Sequence, residues 1–86
     1  MGPAAWAAVG RALGLALTTS VLTKHNNVIA VTARSVYRAI QNNELEMAEA
    51  MLRDLAFRHR KSFQEFMRKY KDDLPEEMFE EFSEFL

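Results

Sequence analysis

The sequence predicts an all-α fold, a small bundle or hairpin of about four helices over residues 4–22, 28–41, 44–71 and 74–85. Three observations lead there. Apolar residues recur at intervals of three and four through most of the chain, the spacing of one face of a helix. Only 3 Gly and 2 Pro punctuate 86 residues, so the runs between them are long. The one β-branched stretch, VIAVT at residues 28–32, has no second strand-like segment to pair with. Frequent Leu, Ala, Met, Phe and Glu exclude a disordered chain. One domain is the most this length can make, and its core is small enough that cover from a partner or a membrane is expected. There is no Cys, which removes disulfides and thiolate metal sites.

The first helix is organised differently from the rest, which divides the chain into an apolar leading segment, residues 1–23, and a charged amphipathic region, residues 24–86. Residues 4–22 read AAWAAVGRALGLALTTSVL, with Arg11 as the only charge. As a helix this run measures ~28 Å, close to the apolar thickness of a bilayer. Pro3 suits a helix start. Trp6 near one end and Lys24 with His25 at the other resemble interfacial anchors. Arg11 opposes spanning, because a central Arg costs about 2.5–3.5 kcal/mol on insertion scales and an Ala-rich helix offsets little of it. Gly10, Gly14 and Thr18, four apart, form a face on which another helix can approach closely. Two environments therefore remain open for this helix, a membrane or a protein interior. Neither a cleaved secretory signal nor myristoylation at Gly2 is expected, since no basic region precedes the run and Trp6 stands where myristoylation favours Ser or Thr. The acid-free, Arg-bearing start shares features with a mitochondrial presequence.

Charge repeats this division. Residues 1–43 hold Arg11, Lys24, Arg34 and Arg38 and no acid, whereas residues 44–86 hold seven Lys/Arg against all twelve Asp/Glu, a balance of −5. Polar residues 23–27 separate the first two helices, with Asn26 or Asn27 as N-cap. In the second helix Ile29, Val36, Ala39 and Ile40 share a stripe with Thr32. Asn43 with Glu46 reads as a capping-box variant opening the third helix. That helix carries Leu45, Ala48, Leu52, Leu55, His59, Phe66 and Tyr70 on one stripe, broadened by Met47, Met51 and Phe63. Glu49 and Arg53 form an i,i+4 pair in the favourable order. Ser62 and Glu65 make a formal capping box, but with no Gly or Pro nearby a continuous helix over residues 44–71 is expected. Pro75 ends it. Asp73 is then placed to cap a last helix, with Glu76 and Glu77 in its first turn. Met78, Phe79, Phe82, Phe85 and Leu86 lie on one side of it, and Glu77, Glu80, Glu81 and Glu84 on the other.

This inventory is poor in chemistry. His25 and His59 lack metal-ligand spacing, no Gly-rich loop joins a strand to a helix, and the acidic face lacks the loop donors of a calcium site, so no catalytic, cofactor or metal residue is expected. The basic residues Arg58, Arg60, Lys61, Arg68, Lys69 and Lys71 point several ways around a helix and are diluted by acids, which argues against nucleic acid. Their alternative role is to receive the acidic tail, with Glu77, Glu80, Glu81 and Glu84 folding back on Arg60, Lys61 and Arg68. Residues 37–55, containing AIQNNELEMAEAMLRDL, resemble one helical hairpin of a tetratricopeptide or related repeat, and a single copy implies no function.

The expectation is a non-enzymatic assembly or recruitment protein that associates with a membrane through its leading helix. By the positive-inside bias, residues 24–86 would face the cytoplasm. The alternatives are a soluble subunit of a larger complex such as a virion or secretion-type assembly, cytoplasmic or mitochondrial, in which other copies or a partner cover the leading helix, and an inhibitor that docks its acidic aromatic tail on a partner. The expected helix and partner interfaces are Gly10, Arg11, Gly14 and Thr18 at one end of the chain and Phe79, Phe82 and Phe85 at the other. The first set depends on the leading helix being too apolar for its own chain to cover.

Overall fold

Pro3 opens α1 (Pro3–Thr18) at a position that needs no intrahelical donor, and the Trp6 N–H closes the first turn on the Gly2 carbonyl at 3.0 Å. The computed structural model describes residues 1–18 and 27–86. The expected continuation of the first helix through Leu22, and Lys24, His25 and Asn26, lie outside the described residues. After them come α2 (Asn27–Gln41), α3 (Leu45–Arg58), α4 (Arg60–Lys69), α5 (Glu76–Glu81) and a 3-10 turn, Ser83–Phe85. No strand occurs among the described residues. The all-α bundle is therefore what the apolar periodicity implied, including helix rather than strand at residues 28–32.

Antiparallel packing of α1 on α2 is set by glycine. Gly10 faces Ile40 and Gly14 faces Tyr37, so positions rise on one helix as they fall on the other. A Cβ added at Gly10 would meet Ile40 Cγ2 at 3.1 Å, and one at Gly14 would meet Tyr37 Cε1 at 3.3 Å. Small residues let the backbones approach, and the neighbour that exploits this is the chain's own second helix.

Between α2 and α3 the Asn doublet turns the chain, though not as a capping box. Asn43 has φ 59°, its N–H donates to the Ile40 carbonyl at 3.0 Å, and the Glu44 N–H donates to the Ala39 carbonyl at 2.8 Å. This pair of bonds with a left-handed residue between helix and exit is a Schellman ending of α2. Asn tolerates that conformation because its short polar side chain relieves the Cβ penalty. Glu44 then occupies the N-cap of α3 without a side-chain bond.

The expected single helix over residues 44–71 is broken at His59, whose φ −127° and ψ 57° leave the helical region. Neither Pro nor Gly causes this. A straight 28-residue rod would measure ~42 Å, whereas the molecule extends 31 × 25 × 21 Å. Breaking the rod lets Phe63, Phe66 and Met67 of α4, each at most 1% exposed, join Leu52 and Leu55 of α3 in one core. Ser62 accordingly lies inside α4 rather than capping it, and α4 starts from His59 with no side-chain cap bond.

Tyr70 ends α4, a turn carries the chain to Pro75, and Pro75 takes the N-cap of α5 that Asp73 was expected to fill. Met78 and Phe82 are fully buried beneath it, and Phe82 stacks tilted on Phe63 with centroids 5.6 Å apart. The same core receives α1. Val9, Ala12, Leu13 and Ala16 are 0% exposed and Trp6 is 3%, so Trp6 is a core residue and not an interfacial anchor. Ala4, Ala7, Arg11, Leu15 and Thr18 form the opposite, exposed stripe. The leading helix is thus covered on one side by its own chain, against the expectation that its own chain could not cover it. No described helix is long and apolar enough to cross a membrane.

Candidate interaction face

The described residues hold no group of three or more His, Cys, Asp or Glu that could hold a metal ion. His59 sits half-buried at the joint between α3 and α4, where its N–H bonds to the Leu55 carbonyl and its carbonyl accepts from Phe63. What the bundle offers instead are surfaces, and two were singled out from the sequence.

The tail surface is occupied at home. Phe82 is buried, and Phe85 packs edge-on against Phe63 at 6.3 Å. Phe79 is half-buried and, with Leu74, Lys71 and Glu76, lines a shallow pocket of about 300 Å³. The tail does fold back, on Arg60 as expected, though through carbonyls, and on Arg53, which was not expected. Arg53 of α3 places its guanidinium 4.8 Å from the centre of the Phe82 ring and bonds Glu84 at 3.2 Å, with Glu49 at 3.7 Å behind it. Arg60 donates to the carbonyls of Phe85 and Glu84, both at 3.0 Å, rather than to a carboxylate, and Gln64 donates to Phe85 and Leu86. Lys61 and Arg68 stay exposed. Glu81 accepts from the Met1 ammonium at 3.0 Å, joining the tail to the start of α1.

At the other end of the chain, Gly10 and Gly14 lie in the α1–α2 crossing. Arg11 and Thr18 are on the exposed side of α1, and the Thr18 hydroxyl donates to the Leu15 carbonyl at 2.9 Å.

A third surface, not singled out from the sequence, centres on α2. Val31, Arg34 and Arg38 form its exposed ridge, with Ser35 and Tyr37 half-buried beside them. Two open grooves flank that ridge. On the α3 side, Val31, Thr32, Ser35, Ala50, Met51 and Asp54 line about 350 Å³. On the α1 side, Gly14, Leu17, Thr18, Arg34, Tyr37 and Arg38 line about 360 Å³. Met47 and Phe57 lie one helical turn to either side of the α3 wall. Val31 is 57% exposed, Met47 51% and Phe57 77%. Met47 was expected to widen the buried stripe of α3 and instead faces out.

Charge on this surface is one-sided. Asp54, the one carboxylate lining the two grooves, is bonded to Arg58 at 2.8 Å. Neither the Arg34 nor the Arg38 guanidinium has an ion-pair or hydrogen-bond partner among the described residues. A faint signal was legible: Val31 and Phe57 fall off the stripes that account for their helices, and an apolar residue off its stripe has no place in the core. The groove that Val31 forms with Ala50, Met51 and Asp54 of α3 was not.

Comparison with protein-family models, with curated proteins and with solved structures finds no match for this chain.

Proposed function

We propose that the protein is a non-enzymatic interaction module, a helical subunit that joins a larger assembly through the α2-centred face. The observation that carries this reading is the set of uncovered apolar side chains on α2 and the neighbouring α3. Val31, Met47 and Phe57 are more than half exposed although a chain this short has few large hydrophobes to spare. Helix-flanked grooves with apolar floors and polar rims are a recurring way of holding another polypeptide. The tail is a weaker docking element, because Phe82 and most of Phe85 are engaged within the chain.

The test is site-specific photo-crosslinking of the full chain in its native cells, with the reactive side chain at Met47 or, as a control, at Asp72 on the exposed turn after α4. A discrete covalent adduct to a defined polypeptide from position 47, weakened by Phe57→Asp and absent from position 72, is the expected result. No adduct, or equal labelling from both positions, overturns the reading, as does an adduct to lipid in its place.

A further inference from the structure

We propose that the groove between α1 and α2 receives an acidic amphipathic helix of a partner protein, with carboxylates on Arg34 and Arg38 and apolar side chains over Gly14, Leu17 and Tyr37. This rests on the interaction reading above and adds the chemistry of the partner.

Charge complementarity carries the argument. Arg34 and Arg38 are four residues apart on α2, one turn along the same wall, and both residues line the groove. Elsewhere in the molecule Arg53, Arg58 and Arg60 are each engaged by a carboxylate or a carbonyl, whereas these two are not. Their own half of the chain has no carboxylate to offer them, since residues 1–43 contain no Asp or Glu. A guanidinium presents a fork of donors suited to a carboxylate. Two carboxylates at i,i+4 on an incoming helix match the spacing of the pair. Below the arginines, the half-buried Leu17 and Tyr37 provide an apolar floor, with the Tyr37 ring already seated against Gly14.

Shape and anchor separate this occupant from others. The arginines border a concavity, which fits a rod, whereas a bilayer surface would meet the convex outer stripe of α1, where Arg11 is the lone cation. In a second copy the acids of α5 come with Met78 and the adjoining Phe82 buried in their own core and Phe79 half-buried, and self-association through any other acidic face is an outcome of the test below.

The experiment titrates the full chain into a fluorescent designed peptide of about 18 residues, long enough to form a marginal helix. Leucines occupy one stripe, glutamates flank it, and a twin carries lysine at every glutamate position. The expected result is saturable binding of the glutamate peptide that weakens as salt is added, falls about tenfold or more in the Arg34→Glu, Arg38→Glu double variant, and is absent for the lysine twin. Circular dichroism confirms that the variant folds. Should the reversal disturb it, Arg34→Gln with Arg38→Gln is expected to lower affinity in the same direction. Equal binding of both peptides, or binding indifferent to the arginines, overturns the proposal. So does cosedimentation with phosphatidylserine vesicles in place of peptide binding, or arginine-dependent self-association in the absence of peptide. If the position-47 adduct survives charge reversal, the interaction module stands and the acidic-helix inference fails. If that adduct never forms, the module reading itself has failed.

Discussion

The two ends of the molecule solve the same problem in different ways. In the C-terminal region, α3, α4 and the tail bring acids, arginines and aromatic rings together, and several of them are answered inside the chain. Arg53 covers Phe82 and holds Glu84, Arg60 grips the last carbonyls, and Phe63 meets both Phe82 and Phe85. In the N-terminal pair, α1 and α2 also bury a continuous apolar seam, but their arginines project to solvent with no carboxylate in reach of sequence or fold. The difference teaches that burial of an apolar helix and satisfaction of its charges are separate matters. The first needs only matching shapes, while the second needs opposite charges, which the chain confines to its second half.

The largest effect should come from the self-satisfied end. Phe82→Ala removes a fully buried ring from the Phe63 and Phe85 cluster and is expected to cost about 3–5 kcal/mol by denaturant unfolding. A cost near that of a surface change would mean that the tail is not part of the cooperative core. Next is the seam between α1 and α2. Gly10→Leu forces a side chain against Ile40, already at 3.1 Å from a bare Cβ, and should destabilise by about 1–3 kcal/mol. Gly14→Ala should be milder, because the half-buried Tyr37 ring can yield and Ala favours a helix over Gly by up to about 1 kcal/mol; the two variants compared by thermal melting locate where the helices are closest. Arg53→Ala loses a cation–π contact and a partly exposed ion pair, with an expected cost of about 1 kcal/mol. Smallest of all, Arg34→Ala and Arg38→Ala should shift stability by less than about 0.5 kcal/mol. Equal costs at Arg53 and Arg34 would erase the contrast between the two ends.

Much of the fold was legible. The apolar stripes marked α1, α2 and, as a single rod, α3 with α4, Pro75 marked the last break, and the alternation of Met78, Phe82 and Phe85 with glutamates marked a tail that packs on one side only. The Glu49–Arg53 pair was also readable, since an i,i+4 relation is local. Three features were not. The break at His59 had only the nearby capping box of Ser62 and Glu65 to mark it, which the lack of Gly or Pro outweighed, because any ordinary residue can leave the helical region when the core on either side favours it. Asn43 was read as a cap and proved to be a left-handed turn, two uses that the same short side chain serves equally well. Arg53 reaches the tail across 31 positions of sequence, a distance over which spacing carries no information. Of the candidate surfaces, Gly10 and Gly14 were identified as a close-approach face, while the partner helix turned out to be α2. The α2 ridge escaped notice because its two grooves each borrow a wall from another helix.

By itself the sequence determined that this chain is helical, where most of its helices lie, and that its charges are segregated by half, since these depend on residue type and on contacts within one or two turns. Tertiary structure alone decided which faces meet: that α1 lies on α2 through glycine, that the long rod breaks to bring Phe63 over Leu52, and that Arg34 and Arg38 are left at a groove without partners. Helix packing is chosen by the sum of many weak contacts between distant segments, and no single stretch contains that sum.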